Sequence, residues 1–322
     1  MEWSFPIDYK TLHFHAPIPE TKVLMELIDQ KKPTFIYSLH NAGFGGCYWY
    51  LTDGDEALYK ALYRQPALEK VPLHLGEPEA PYCEEFYPGM YRMLGVTAHY
   101  DYLEKFVPDK DPATMITSGT SSDEYANREG KLISRALVNE MPYFYDQRID
   151  DTTPSDMIRR EAVLINCDQT EAFFAALTPL YERVKPLIRT WNPFFISVED
   201  RMASSSVGNM DAKRQWAMAP EFEEKATVAQ KFENLYGQGF YRNLSVCLLW
   251  RACTYELEHG TDMSDAARAE LEAIKADAGK LMEENLRYLE ENLHYQAIPI
   301  QKLVRIQLAS GLLYAKYVHD KN

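Results

Sequence analysis

The stretch SDAARAELEAIKADAGKLMEENLRYLEENLH (264–294) carries the clearest periodicity in the chain. Ser264 is a helix-capping residue, and the apolar positions behind it are Ala267, Leu271, Ile274, Ala278 and Leu281, then Leu286, Leu289 and Leu293. Steps of three and four with one skip predict a single amphipathic helix of about 30 residues lying along a neighbour. Immediately upstream, Phe240 to His259 is apolar on most sides, which predicts a buried helix stopped by Gly260. Downstream, Pro299 opens a last helix that reaches about His319. Connections this short make the three helices antiparallel neighbours.

Outward from that core the reading stays helical. Glu20–Lys32 places Val23, Leu24, Leu27 and Ile28 on one face and ends at Pro33. Asp53 with Glu56 forms a capping box for a helix running to Gln65, and a proline-rich connector covers 67–81. Glu84 to Val107, with Met90, Leu94 and Leu103, reads as helix, and so does Asp123 to Glu140. Asp168 to Arg189 contains Pro179 and Pro186, which predicts a kink. The segment 202–219 reads as a loop. One β-like element stands out, TFIYSL (34–39), leading into the glycine-bearing loop HNAGFGG. The expected fold is therefore mainly α, an antiparallel helical bundle or helical array with a small mixed α/β amino-terminal portion. The segment YDQRIDDTTPSD marks the best internal boundary. It divides a mixed, mostly helical 1–150 from an all-helical 151–322, which can also form one continuous domain.

A formal net charge of −14 repels phosphate backbones and anionic headgroups, so nucleic acid and membrane surfaces are not expected partners, whereas a basic protein is. The five cysteines form neither a CxxC pair nor an even framework, and the amino terminus MEWSFPIDYK has no basic and apolar leader pattern. The most apolar run, Leu244–Trp250, is too short to span a bilayer. The expected compartment is the cytoplasm.

Several residue sets point to chemistry. In SLHNAGFGGCYWYL, Cys47 follows a glycine turn and a β-like run, with His40 and Asn41 a few residues earlier. A thiol at a helix start beside an imidazole becomes a nucleophile, and an upstream amide can line an oxyanion hole. Over this dozen residues the pattern resembles that of the papain-like thiol hydrolases. It carries Asn where they carry Gln, and lacks their Cys-Gly-Ser-Cys-Trp run. The resemblance implies Cys47 as nucleophile, with His40 and Asn41 in support. Its plain structural counterpart is a glycine-turned strand–loop junction that packs Tyr48, Trp49 and Tyr50 into the core.

Two Glu-x-x-His pairs, Glu256/His259 and Glu291/His294, supply half of a di-iron ligand set of the kind found in helical oxygenases. Along a helix of about 30 residues they stand roughly 45 Å apart, too far to share one metal unless the helix breaks. Arg287 and His294 have a spacing that resembles the catalytic pattern of the helical HEPN ribonucleases. His99-Tyr-Asp101 has the spacing of a facial iron triad, but on a helix its side chains diverge by about 200°. His13-Phe-His15 lies in a more extended context where both rings can face one ion, with no third ligand identifiable nearby. No cofactor follows from these patterns. The acidic balance, the helix content and the failure of each catalytic set to close lead to a non-catalytic binding protein acting by protein contact, an inhibitor or immunity-type partner. The alternative is an enzyme: a thiol hydrolase or transferase using Cys47, or a metal-dependent helical oxygenase.

Overall fold

The computed structural model describes residues 3–204 and 207–321. In chain order the elements begin with a hairpin, β1 (Ile7–Tyr9) and β2 (Leu12–Phe14), then α1 (Pro19–Lys31), β3 (Phe35–Phe44), β4 (Tyr48–Leu51) and α2 (Glu56–Glu69). A second hairpin, β5 (Glu85–Tyr87) and β6 (Met90–Arg92), precedes α3 (Val96–Phe106), α4 (Ser122–Ala126) and β7 (Arg135–Tyr145). Then follow β8 (Pro154–Ile158), α5 (Arg159–Val184), α6 (Pro193–Ser204), α7 (Val207–Trp216), β9 (Lys225–Thr227) and α8 (Val228–Phe232). After a π turn at Glu233–Gly237 the chain ends with α9 (Gln238–His259), α10 (Asp265–Asn292), β10 (Gln296–Ala297) and α11 (Ile300–Lys321). Two compact units result: Met1–Ser155 with Thr227–Gln230 and Tyr295–Asn322, and Asp156–Ala226 with Lys231–His294.

The first unit is built on a six-stranded mixed sheet, which overturns the expected helical bundle or array. Its central strand is β7. Along one edge β7 pairs in parallel with the whole of β3, and along the other it pairs antiparallel with β4 and, further on, with β10. Beyond β4 lie β6 and β5. Physical reasons for the difference are visible residue by residue. In β7, RALVNEMPYFY is buried on both faces from Ala136 to Pro142, so it shows no alternation, and Leu, Glu and Met bias its local composition toward helix. The expected helix 84–107 is broken at Pro88-Gly89, where Gly89 takes a φ of 73° and turns β5 into β6. The β-like run at 34–39 continues through the glycine segment to Phe44, with bulges at Asn41 and Gly43.

One face of the sheet is covered by α2 and α11. Trp49, Leu51, Leu137 and Met141 from the sheet meet Leu62, Ile306 and Tyr314 in a shared apolar core. Gly311 lets α11 approach β3, since a Cβ there would fall 2.4 Å from the Tyr37 ring. The Tyr37 hydroxyl donates to the Gln307 carbonyl at 2.5 Å, and buried Trp49 donates its indole N–H to Ser310 at 3.1 Å. Thus α11, expected beside α9 and α10, belongs to the sheet. The stretch 151–322, expected to be all-helical, also contains β8, β9 and β10; in the second unit α9 packs on α10 and α6. Its core joins Leu177, Val198, Val246, Leu249, Leu271 and Ile274. Within 202–219, expected as a loop, α6 reaches Ser204 and α7 begins at Val207, while positions 205 and 206 lie outside the described residues. Helices still account for more of the chain than strands, and no described helix is long and apolar enough to cross a membrane.

Replacing Ser310 by Ala should cost about 1–3 kcal/mol in urea unfolding, because it strands a buried indole N–H. A change below about 0.5 kcal/mol would show that the anchor contributes nothing.

Candidate functional site

The opposite face of the same sheet is polar and aromatic. Paired residues of neighbouring strands point to the same side. Glu140 of β7 is the register partner of His40 on β3 and of Tyr48 on β4, so the three form one row across the sheet. In the next row Val138 pairs with Tyr50, which in turn pairs with Tyr91 of β6. His40 donates from Nδ1 to Glu140 Oε1 at 3.0 Å, with the carboxylate nearly buried (10% exposed) and the imidazole 36% exposed. Glu140 therefore sits between an imidazole and a phenol at strand centre. Two strands far apart in sequence had to pair before this couple existed.

The loop 71–84 lowers a second carboxylate onto this row. Glu79 Oε2 accepts from the Tyr50 hydroxyl at 2.8 Å and from the Tyr48 hydroxyl at 3.2 Å. Residue 79 is itself exposed, and the two phenols hold its carboxyl against the aromatic face of the sheet. Burial pushes its pKa above the ordinary value, and the negative charge of Glu140 pushes the same way. The two tyrosine hydrogen bonds pull it back only in part. Burial likewise raises the Tyr50 phenol well above its usual range, with Glu79 adding to the effect. Cys83, whose Sγ lies 3.8 Å from the Tyr50 hydroxyl, is pushed up to about 12, chiefly by burial. Tyr82 stacks on His99 beside this cluster, with ring centroids 5.1 Å apart. The result is a recess holding an imidazole-bound carboxylate, a carboxyl that retains its proton longer than usual, and aromatic walls.

The residues singled out in the glycine segment end in different places. His40 belongs to the recess. Asn41, the next residue on β3, is the register partner of Met141, and its side chain faces the other side of the sheet. Cys47 is fully buried in the apolar core between sheet and helices. Burial raises its thiol well above the ordinary value, and the charge of Glu140 acts in the same direction. That is the reverse of what a nucleophilic cysteine needs. The nearby imidazole, His74, is committed elsewhere: its Nε2 donates to the Glu77 carbonyl at 3.1 Å, and its Nδ1 faces the Gly46 N–H at 3.5 Å. Gly46 serves close packing, because a Cβ would stand 2.2 Å from the Leu73 carbonyl carbon and from the His74 nitrogen. The glycine run thus lays β4 against the 71–75 backbone, and no helix begins at Cys47.

The two Glu-x-x-His pairs are not brought together. Glu256 is wholly buried and accepts from the Arg189 and Thr190 backbone N–H groups at 2.9 and 3.3 Å and from the Thr190 hydroxyl at 2.7 Å. It is a structural carboxylate that ties the turn before α6 to α9. His259 packs on Tyr255 at the end of α9, and Glu291 and His294 are exposed at the far end of α10. The 28-residue α10 separates the pairs by about 42 Å. Arg287 lies within α10, and His294 follows its last turn. His99 and Asp101 are on α3, where Asp101 accepts from Tyr9 and Lys10 instead of sharing an ion with His99.

Compared with protein-family models, with curated proteins and with solved structures, the chain matches none of them.

At neutral pH, iodoacetamide should alkylate Cys47 more slowly than the partly exposed Cys83 and Cys247, read by peptide mass spectrometry on folded protein. Faster labelling of Cys47 would restore it as a reactive thiol.

Proposed function

We propose that the chain is an enzyme, a hydrolase that works by general acid–base catalysis on carbonyl substrates, amides or esters, at the His40–Glu140–Glu79 recess. The observation that carries this reading is the sharing of one recess by two carboxyl groups in different environments. Glu140 is held by an imidazole, and Glu79 has its proton affinity raised by burial and by Glu140 itself. Sites that need an acid and a base at one pH are made in this way. Glu140 takes a proton from the attacking water. His40 fixes the carboxylate's orientation through its Nδ1–H. Glu79, oriented by Tyr48 and Tyr50, returns a proton to the leaving group. Position and proton transfer of this kind contribute about 10²–10⁴-fold in rate.

A second reading has its own support. On α11, Ile300, Val304, Leu308 and Leu312 recur every fourth residue and are 53–64% exposed. An uncovered apolar stripe of that length favours a protein that acts by contact with a partner. Such binding is expected to survive changes at Glu140, whereas hydrolysis is not.

A panel of peptide and ester substrates, assayed with and without added Zn²⁺, tests the first reading. The Zn²⁺ arm is included because an imidazole that gives its N–H to a carboxylate is also oriented to ligate a metal. Glu140→Gln and Glu79→Gln should each lower kcat by about 10²-fold or more while the melting curve is retained. Tyr50→Phe removes a hydrogen bond that favours ionised Glu79, so the alkaline limb of the rate profile should move to higher pH. Full activity in both glutamine variants, or an alkaline limb that moves down, would contradict the assignment.

A further inference from the structure

The amino-terminal hairpin gathers a cluster that the recess does not use. Register sets Asp8 of β1 directly opposite His13 of β2, and His15 follows two residues later on the same side. His13 Nδ1 lies 2.7 Å and His15 Nε2 2.9 Å from the same oxygen, Asp8 Oδ1. All three side chains are exposed, and one potential ligand atom from each lies within 4.8 Å of the others. Among the described residues no other group of three His, Cys, Asp or Glu side chains comes so close. Sequence spacing alone offered the two imidazoles; the hairpin supplies the missing carboxylate.

The hairpin is also held in place, which a metal site requires. Its two-residue turn is Lys10-Thr11, with Lys10 at a φ of 50°. Lys10 pairs with Asp101 at 2.8 Å and with Glu104 at 2.6 Å, the Tyr9 hydroxyl donates to Asp101, and Thr11 donates to Asp111 at 2.7 Å. The turn is thereby fastened to α3 and to the loop behind it. The hydrogen bond from His13, supported by His15, holds the Asp8 carboxyl below its usual range.

We propose that Asp8, His13 and His15 form a binding site for a divalent transition-metal ion of the zinc class. Two imidazoles and one carboxylate make a three-ligand face, and imidazole nitrogen selects against calcium and magnesium, which take oxygen ligands. Bonds of about 2.0–2.2 Å place tetrahedral ligand atoms about 3.3 Å from one another, so the two histidine–aspartate contacts open by about half an ångström around the ion. Each imidazole then presents a lone pair from the nitrogen that now faces Asp8. Its ring proton moves to the other nitrogen, Nε2 of His13 and Nδ1 of His15, and a neutral ring releases no proton in this exchange. Asp8 and His15 also line an open hollow of about 750 Å³ together with Thr97, Glu124 and Arg128, which gives the ion a path of entry.

Calorimetric titration of the full chain with Zn²⁺ tests the proposal. One equivalent should bind, and His13→Ala and His15→Ala should each weaken that site by about tenfold or more, as should Asp8→Asn to a lesser degree. His40→Ala should leave it unchanged, which separates this site from any ion at the recess. Because the three side chains are exposed, the variants should keep the wild-type melting curve without metal. In parallel, the ring nitrogens of His13 and His15 should shift on Zn²⁺ addition in a ¹⁵N correlation spectrum. Affinity weaker than about 1 mM, unchanged affinity in the His13→Ala/His15→Ala double variant, or unmoved ring nitrogens would overturn it.

Discussion

Strand β7 is the constraint on which the first unit depends. It is paired along both edges and buried on both faces, so each of its side chains must be suited to a fixed neighbour. On one face that demand produces the apolar contact with α2 and α11. On the other it places Glu140, a carboxylate costly to bury alone, between His40 and Tyr48. A charged residue in the middle of a central strand is rare unless something pairs with it. Here the partner comes from the parallel strand β3, and Glu79 arrives from a loop to share the recess.

Much of the second unit was legible in the sequence. The stripe from Ala267 to Leu293 and the cap at Ser264 describe α10 to within a residue or two, and the apolar stretch 240–259 lies within α9. Helices announce themselves locally, α10 through its periodic stripe and α9 through a run that is apolar on most sides. The sheet was not legible for the opposite reason. A strand buried on both faces has no period, and β4, β5 and β6 are only three or four residues long. Pro88-Gly89 was the one local signal for the β5–β6 hairpin. Similarly, α11 shows a helical pattern but nothing in that pattern says which surface it packs on.

The candidate site divides along the same line. His40 could be picked out because it lies beside a glycine turn, but its partner Glu140 is 100 residues away and sits in a segment that reads as helix. Glu79, in a proline-rich connector, carries no motif at all. Cys47 drew attention for the very feature that disables it. The glycines ahead of it exist to let β4 approach the 71–75 backbone, and that approach buries the thiol. Glu256 shows the same lesson in the second unit. A carboxylate with metal-ligand spacing turns out to satisfy three donors of a neighbouring turn. Spacing nominates residues, whereas pairing and burial decide what they can do.

Glu140 and Glu79 meet at one face of the sheet, where the charge of Glu140 helps to raise the proton affinity of Glu79. The most direct measurement is the titration of the Glu79 side-chain carboxyl by ¹³C nuclear magnetic resonance, in the wild-type chain and in Glu140→Gln. The Glu79 midpoint should lie above the ordinary glutamate value of about 4.3 in the wild type and fall toward it when the Glu140 charge is removed. A midpoint at or below the ordinary value, indifferent to Glu140→Gln, would contradict it.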